Sequence, residues 1–185
     1  MQNDNQSMRR FFIAAAVLNA AWLVACNPTF NWREVDPDTS TLVALLPCKP
    51  DKASRVVSLA GRQPVVLDML GCDAGGATFA IAHAEISDPA QAGEMLAQWR
   101  AVTLANLRAT SSTDAPFTPK GSLALPQSVL VVASGQRADG HAVTAHAAWF
   151  AQSSSSEIQL FHAVVYANKI GPEVTETFFS GLKLQ

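Results

Sequence analysis

Short runs of Val, Leu, Ile, Phe and Ala recur along residues 41–86 and 128–166, and Gly, Pro, Asp or Ser separates most of them. Runs of this length and composition are typical of β-strands. The pattern predicts strands at 41–46, 55–59, 65–70, 78–86, 128–135, 141–151 and 158–166. Turn residues at 73–76, 138–140 and 152–156 predict hairpins, so the last three strands should form an antiparallel meander.

In residues 88–107 the apolar side chains are spaced as in a helix rather than as in a strand. Asp88 precedes Pro89 and stands three residues before Gln91, an arrangement that predicts a helix N-terminus with a capping box. Apolar side chains then recur every three or four residues, at Met95, Leu96, Trp99, Val102 or Thr103, and Leu107. The spacing predicts one long helix whose apolar stripe covers a sheet.

The remaining segments complete the predicted fold. Residues 110–126, with several Ser, Thr and Pro, predict a long unstructured loop. Gly171-Pro172 begins a short second helix through residue 178, and Gly181 ends it. The order of elements predicts an α+β domain: an antiparallel sheet with one long central helix and a short C-terminal helix.

Charge and composition narrow the class of protein. The 185 residues carry a formal charge of -2 and are 49% hydrophobic, which is typical of one globular domain. No basic cluster follows Arg10, so nucleic acid is not an expected partner.

The N-terminus has the pattern of a secretory signal. Arg9 and Arg10 precede an apolar run at 11–25 in which Asn19 is the only clearly polar residue. The run is shorter than the roughly 18 to 20 residues of a membrane-spanning helix. Met8 is an alternative start, since it places the two arginines directly at the N-terminus.

The run ends in Leu23-Val24-Ala25-Cys26, which resembles the lipobox of bacterial lipoproteins. The resemblance implies a signal peptide at 1–25 that is cleaved, and acylation of Cys26 with diacylglycerol and often a palmitate-like chain. Residues 26–40 would then be the lipidated N-terminus and tether, and 41–185 a single domain facing the periplasm. Asn27 after the cysteine favours the outer membrane by the same resemblance. A soluble periplasmic protein cleaved near Ala25 is the alternative.

Cys48 and Cys72 are the two other cysteines. In an oxidising compartment such a pair is expected to form a disulfide. A metal pair or a redox pair is the alternative, but the chain has no C-x-x-C motif.

The order of the elements resembles the PsbP-like fold, which an extrinsic photosystem subunit, a Ran-binding protein and various bacterial lipoproteins share. Three segments carry the likeness: 45–50 (Leu-Leu-Pro-Cys-Lys-Pro), 76–84 and 173–184. The resemblance implies the fold and assigns no functional residue, because members of the family differ in function.

Four residues are candidates for a dispersed site: His83, Glu85, His146 and His162. They lie in three predicted strands, and neighbouring strands can bring imidazoles and a carboxylate together to bind Zn²⁺ or Cu²⁺. The favoured interpretation is that they are ordinary strand residues, since no metal-ligand spacing, hydrolase elbow or phosphate loop is present and no cofactor is indicated.

Alanines alternate through the strands that carry the histidines, and small side chains let a helix lie close to a sheet. The same surface could instead form a shallow groove, with Trp149, Phe150, Phe161 and Tyr166 as anchors for a ligand or peptide. The resemblance to a lipobox, the resemblance to the PsbP-like fold and the absence of catalytic motifs together predict a lipid-anchored, non-enzymatic periplasmic domain that binds or stabilises an envelope partner. A metal-binding protein or enzyme that uses His83, Glu85, His146 and His162 is the alternative.

Overall fold

A computed structural model describes residues 28–37, 40–58, 64–154 and 157–185. The predicted signal peptide, Cys26 and Leu59 lie outside the described residues. In chain order the elements are β1 (Arg33–Val35), β2 (Leu42–Leu46), β3 (Asp51–Val57), β4 (Val65–Ala74), β5 (Ala77–Ile86), a 3₁₀ turn (Pro89–Gln91), α1 (Ala92–Asn106), β6 (Ser111–Pro116), β7 (Val129–Gln136), β8 (Ala142–Ser153), β9 (Ile158–Ala167), α2 (Pro172–Ser180) and β10 (Lys183–Leu184).

The elements form three layers. Seven antiparallel strands make the middle layer, in the order β3-β4-β5-β9-β8-β7-β6. Helix α1 packs on one side of this sheet. Helix α2 and the small sheet β1-β2-β10 pack on the other side. The predicted α+β class, with antiparallel strands, one long helix and a short C-terminal helix, is confirmed. We call the two sides of the large sheet the α1 face and the α2 face.

The predicted hairpins are present. Gly75 and Gly76 join β4 to β5 with φ of 59° and 75°, and Ala74 pairs with Ala77. Two consecutive residues at positive φ form the tight turn that matches the twist of the strands, and glycine adopts it without steric cost. Strands β7, β8 and β9 pair consecutively as the predicted meander.

Residues 110–126 differ from the prediction. Strand β6 (Ser111–Pro116) lies in this segment and pairs with β7 at the edge of the sheet. All six of its residues are exposed, so the strand has no alternation of apolar and polar side chains. The prediction of an unstructured loop is wrong here because backbone pairing, which the side-chain pattern does not encode, holds the strand.

The predicted N-cap Asp88 is present, but it caps the 3₁₀ turn Pro89–Gln91, and α1 itself begins three residues later than predicted, at Ala92. The Asp88 carboxylate accepts a hydrogen bond from the Ala90 amide at 3.0 Å, and the Gln91 side-chain amide donates to the other carboxylate oxygen at 2.7 Å. The predicted stripe is buried at Ala92, Met95, Leu96, Trp99 and Leu107. Of the two alternatives, Thr103 is half-buried and donates its hydroxyl to the Trp99 carbonyl, whereas Val102 is 40% exposed.

Helix α2 buries Val174, Phe178 and Phe179 against the α2 face. Gly181 follows its last turn. A Cβ atom at Gly181 would lie 2.8 Å from the Leu45 Cβ, so the close approach of β2 explains the glycine.

A disulfide and aromatic contacts attach the small sheet to the large one. Cys48, just after β2, forms a disulfide with Cys72 on β4, with a Cα–Cα distance of 6.0 Å. The expected disulfide is therefore present. In the segment predicted as the tether, Phe30 and Trp32 contact Phe79, with ring centroids 6.3 and 6.0 Å from its ring. Among the described residues, no helix combines the length and apolar character that crossing a membrane requires.

Candidate functional site

The two faces of the large sheet divide the four candidate residues. In β5, Ala77, Phe79 and Ile81 face α2, and the alternation of a strand places His83 and Glu85 on the same α2 face. His146 of β8 also lies on this face, beside Phe150 in the alternation. His162 of β9 lies on the α1 face, where it contacts Trp99 of the helix.

The structure does not bring the three histidines together. Through Val165 of β9, His146 is in register with Phe79 of β5, four residues from His83. Strand spacing therefore separates the His83 and His146 backbones by about 16 Å. The described part of the chain contains no group of three His, Cys, Asp or Glu side chains that could hold a metal ion.

His83 is buried next to a carboxylate. Its Nε2 lies 4.0 Å from an Asp68 carboxylate oxygen on the neighbouring strand. Burial lowers the pKa of His83 below its usual value, and the charges of Asp68 and Glu85 partly oppose that effect. These residues line a cleft of about 680 Å³ at the end of β5 that reaches Asp88 and Met95.

Glu85 belongs to a polar network that joins the two sheets. Its carboxylate accepts a hydrogen bond from the Gln159 side chain at 2.9 Å. The side-chain oxygen of Gln159, Oε1, accepts hydrogen bonds from the Thr41 backbone amide at 3.1 Å and from the Thr41 hydroxyl at 2.9 Å. The Thr41 hydroxyl also contacts the Gln152 side chain, which donates to the Gln185 carbonyl at 3.0 Å. These bonds give Glu85 a structural role.

Sequence reasoning missed this network, although one signal was available. Gln152 and Gln159 flank the last predicted hairpin and are directly opposite each other in register. Two paired glutamines between apolar strand residues indicate a shared hydrogen-bonding role. Their partners Thr41 and Gln185 are distant in the chain, and only the fold identifies them.

His162 is buried between the sheet and α1, with 8% of its surface exposed. Its ring stacks on Trp149 at 4.7 Å and contacts Trp99 at 5.4 Å. Burial lowers the pKa of His162 to about 3, so the ring is neutral near pH 7. Within the described part of the chain, neither its Nε2 nor the Trp149 indole nitrogen beside it has a hydrogen-bond partner. Buried polar atoms without partners are uncommon in native proteins.

A cavity of about 500 Å³ lies under α1, next to His162. Its floor is the α1 face of the sheet, and Trp99, Thr103 and Leu107 of the helix form its roof. Small side chains make the floor shallow, since it is built from Ala80, Ala82, Val143 and Val164 together with His162 and Tyr166. Leu67 and Met69 of β4 form one wall, and Arg55, Asn106, Gln136 and Arg137 surround the apolar interior.

The proposed aromatic anchors divide between core and cavity. Trp149, Phe150 and Phe161 are fully buried core residues. Tyr166 is half-buried and lines the cavity, where burial raises the pKa of its phenol and the nearby Arg137 charge partly opposes the rise. The alanines therefore do both things that the sequence suggested: they let α1 approach the sheet, and they leave space beneath it.

Sequence reasoning did not single out Arg55 and Arg137. They lie 82 positions apart, on β3 and in the turn between β7 and β8, and each stands in an ordinary polar context. Only the packing of α1 across the sheet places them around one cavity.

Comparisons with known proteins do not assign the chain to a family: no protein-family model matches it, and no match was found among curated proteins.

Proposed function

We propose that the protein is a lipid-anchored periplasmic domain of the bacterial cell envelope with a PsbP-like fold, which binds a ligand or partner rather than catalysing a reaction. The anchor is Cys26, acylated after removal of residues 1–25, and the outer membrane is the favoured location. The basis is the basic, apolar and lipobox pattern at 9–26.

The disulfide is the observation that most strongly supports the periplasmic location and the acylation of Cys26. Cys48 and Cys72 are bonded to each other, and the chain has three cysteines. Disulfides are formed and kept in the periplasm and are rare in the cytosol. The bond also leaves Cys26 as the one cysteine that is not part of this pair, which fits its role as an acyl acceptor.

The geometry of the N-terminal segment supports a short anchor. Pro28 follows Cys26 by two residues, so their Cα atoms are at most about 7 Å apart. Thr29 and Phe30 lie against Gly75, and a Cβ atom there would be 3.3 Å from the Thr29 methyl group. An acylated Cys26 would therefore hold the Gly75–Gly76 end of the large sheet close to the membrane surface.

A binding function is favoured over a catalytic one by the positions of the candidate residues. His162 lies on the opposite face from His83 and Glu85, and Glu85 is engaged by Gln159. The apolar cavity under α1 is of a size common for ligand sites, about 300 to 1,000 Å³.

The anchor can be tested by metabolic labelling with an alkyne-bearing palmitate in cells that express the full chain. We expect label on the wild type and none on Cys26→Ala. The mature N-terminal peptide should begin at acylated Cys26 by mass spectrometry, and an inhibitor of lipoprotein signal peptidase should leave residues 1–25 attached.

The matched control is the double variant Cys48→Ala/Cys72→Ala, which removes the other cysteines and should keep the label. Label that persists on Cys26→Ala, or a mature chain that begins elsewhere, would contradict the proposal.

A further inference from the structure

The cavity under α1 is apolar inside and positively charged at its edge. Its lining includes Arg55 and Arg137 and, among the described residues, no carboxylate. Both arginines are exposed, and neither has an ion pair with a carboxylate of the described chain. An unpaired arginine beside an apolar cavity favours an anionic ligand group over a cationic one.

A second observation at the same cavity also indicates a ligand. His162 lines the cavity and is 8% exposed, yet none of the residues that the structure describes gives its Nε2 a hydrogen-bond partner. Ala80 and Ala82 lie in the neighbouring floor, where larger apolar side chains would fill the space. The protein core is thus left unfilled beside a buried imidazole nitrogen for which the described residues provide no partner.

We propose that this cavity binds a single-chain amphiphile, whose apolar chain lies between α1 and the sheet and whose anionic head group is bound by Arg137 and Tyr166. The Tyr166 hydroxyl can donate a hydrogen bond to the head group, and Arg137 supplies the charge. Arg55, on the other side of the cavity, adds positive potential. The apolar chain contacts Trp99, Leu107 and the alanine floor.

The position of the cavity is consistent with a ligand taken from a membrane. Arg137 lies in the turn between β7 and β8, and Tyr166 lies next to Ala167, which pairs with Ala77 beside the Gly75–Gly76 turn. The head-group end of the cavity is therefore at the end of the sheet that an acylated Cys26 would hold near the bilayer. This step rests on the proposed function, whereas the cavity and its charges do not.

The test is photo-crosslinking of the full chain in membrane vesicles with a 12-carbon carboxylate that carries a diazirine on its chain. We expect saturable crosslinking to the peptides that contain α1 and β9. The matching 12-carbon alcohol should crosslink at least about tenfold more weakly, since it lacks the charge. The matching alkyl phosphate distinguishes a lipid-type phosphate from a free fatty acid, and preferred binding of either anion supports the proposal.

Three variants localise the ligand. Arg137→Gln should weaken crosslinking about tenfold and Tyr166→Phe about threefold, because each removes one head-group contact. Ala80→Leu should abolish it by filling the floor of the cavity. Arg33→Gln, an arginine in β1 on the opposite side of the large sheet, makes the same change of charge and should crosslink like the wild type.

Equal crosslinking of alcohol and carboxylate, or crosslinking that Ala80→Leu leaves unchanged in a variant with the wild-type melting temperature, would overturn the proposal. The variant Cys26→Ala distinguishes the proposed lipid anchor from the proposed amphiphile site, because it removes the anchor and leaves the cavity unchanged. Crosslinking that persists in that variant supports the cavity site whether or not the anchor is correct.

Discussion

The two faces of the large sheet are built from the same strands, and they are filled differently. On the α2 face, Phe79, Phe150, Phe161 and Phe178 are fully buried and pack ring to ring at 5.0 to 5.5 Å. On the α1 face, alanines occupy most of the corresponding positions in β5 and β8, and a cavity remains beside His162. Alternate residues of one strand thus complete a tightly packed core on one side and leave a space on the other.

We expect this difference to separate the residues that stabilise the fold from those that bind the proposed ligand. The packing of Trp32 on Phe79, the Cys48–Cys72 disulfide and the hydrogen bonds from Thr41 to Gln159 join the small sheet to the α2 face. The α1 face has two exposed arginines at its cavity, and the buried His162 Nε2 beside it has no partner among the described residues. Mutations on the α2 face should mainly change the free energy of unfolding, whereas those around the cavity should mainly change binding.

The largest effect is expected from Phe79→Ala. Phe79 is fully buried and contacts Phe178, Phe30 and Trp32, so its removal leaves a cavity where four rings meet. We expect the free energy of unfolding to fall by about 3 to 5 kcal/mol in urea titrations. Val164→Ala on the α1 face should cost about 1 to 2 kcal/mol, because the lost methyl groups already border open space. Val165→Ala makes the same deletion on the α2 face and should cost more than Val164→Ala; equal losses in these two variants would show that the faces are packed alike.

The disulfide should have the next largest effect. It closes a separation of 24 residues between the small and large sheets, and chain-entropy estimates for such a loop give about 3 kcal/mol. We expect the double variant Cys48→Ala/Cys72→Ala to lose about that much stability. Dithiothreitol should lower the stability of the wild type and leave the double variant unchanged. If dithiothreitol did not lower the stability of the wild type, the disulfide would not be a source of stability on the α2 face.

His162 should make stability depend on pH through the α1 face. Its pKa is about 3 in the folded protein and near 6.5 when unfolded, so the unfolded chain binds the proton first as pH falls. The contribution of the neutral ring to the free energy of unfolding is complete above the unfolded-state pKa of about 6.5 and decreases as the pH falls below it. Between pH 7 and pH 5 we expect this residue to lower the free energy of unfolding by about 2 kcal/mol.

The variant His162→Phe keeps the stacking on Trp149 and removes the titrating group. Its loss of stability between pH 7 and pH 5 should be smaller than that of the wild type by about 2 kcal/mol. His141→Phe, in the exposed turn before β8, is the matched control and should retain the wild-type pH dependence. If His162→Phe and the wild type lost stability equally, the ring would not be buried in its neutral form.

Local pattern carried much of the fold prediction. Alternating apolar runs, the Gly75–Gly76 turn and the Asp88–Gln91 pattern identified the main strands, one hairpin and the 3₁₀ turn that leads into α1, because each depends on residues close together in the chain. Strand β6 escaped prediction because its exposed side chains carry no periodicity. Its backbone hydrogen bonds to β7 are the whole reason it is a strand.

The geometry of the candidate site, in contrast to the strands and helices, could not be predicted from local sequence pattern. The residue types at His83, His146 and His162 were evident, but a strand alternation of two and the sheet order place them on different faces or far apart. Arg55, Arg137 and Tyr166 came to surround one cavity only through the packing of α1. Local interactions therefore determined which segments are strands and helices. Which side chains share a cavity was decided by tertiary packing, since that depends on contacts between residues tens of positions apart.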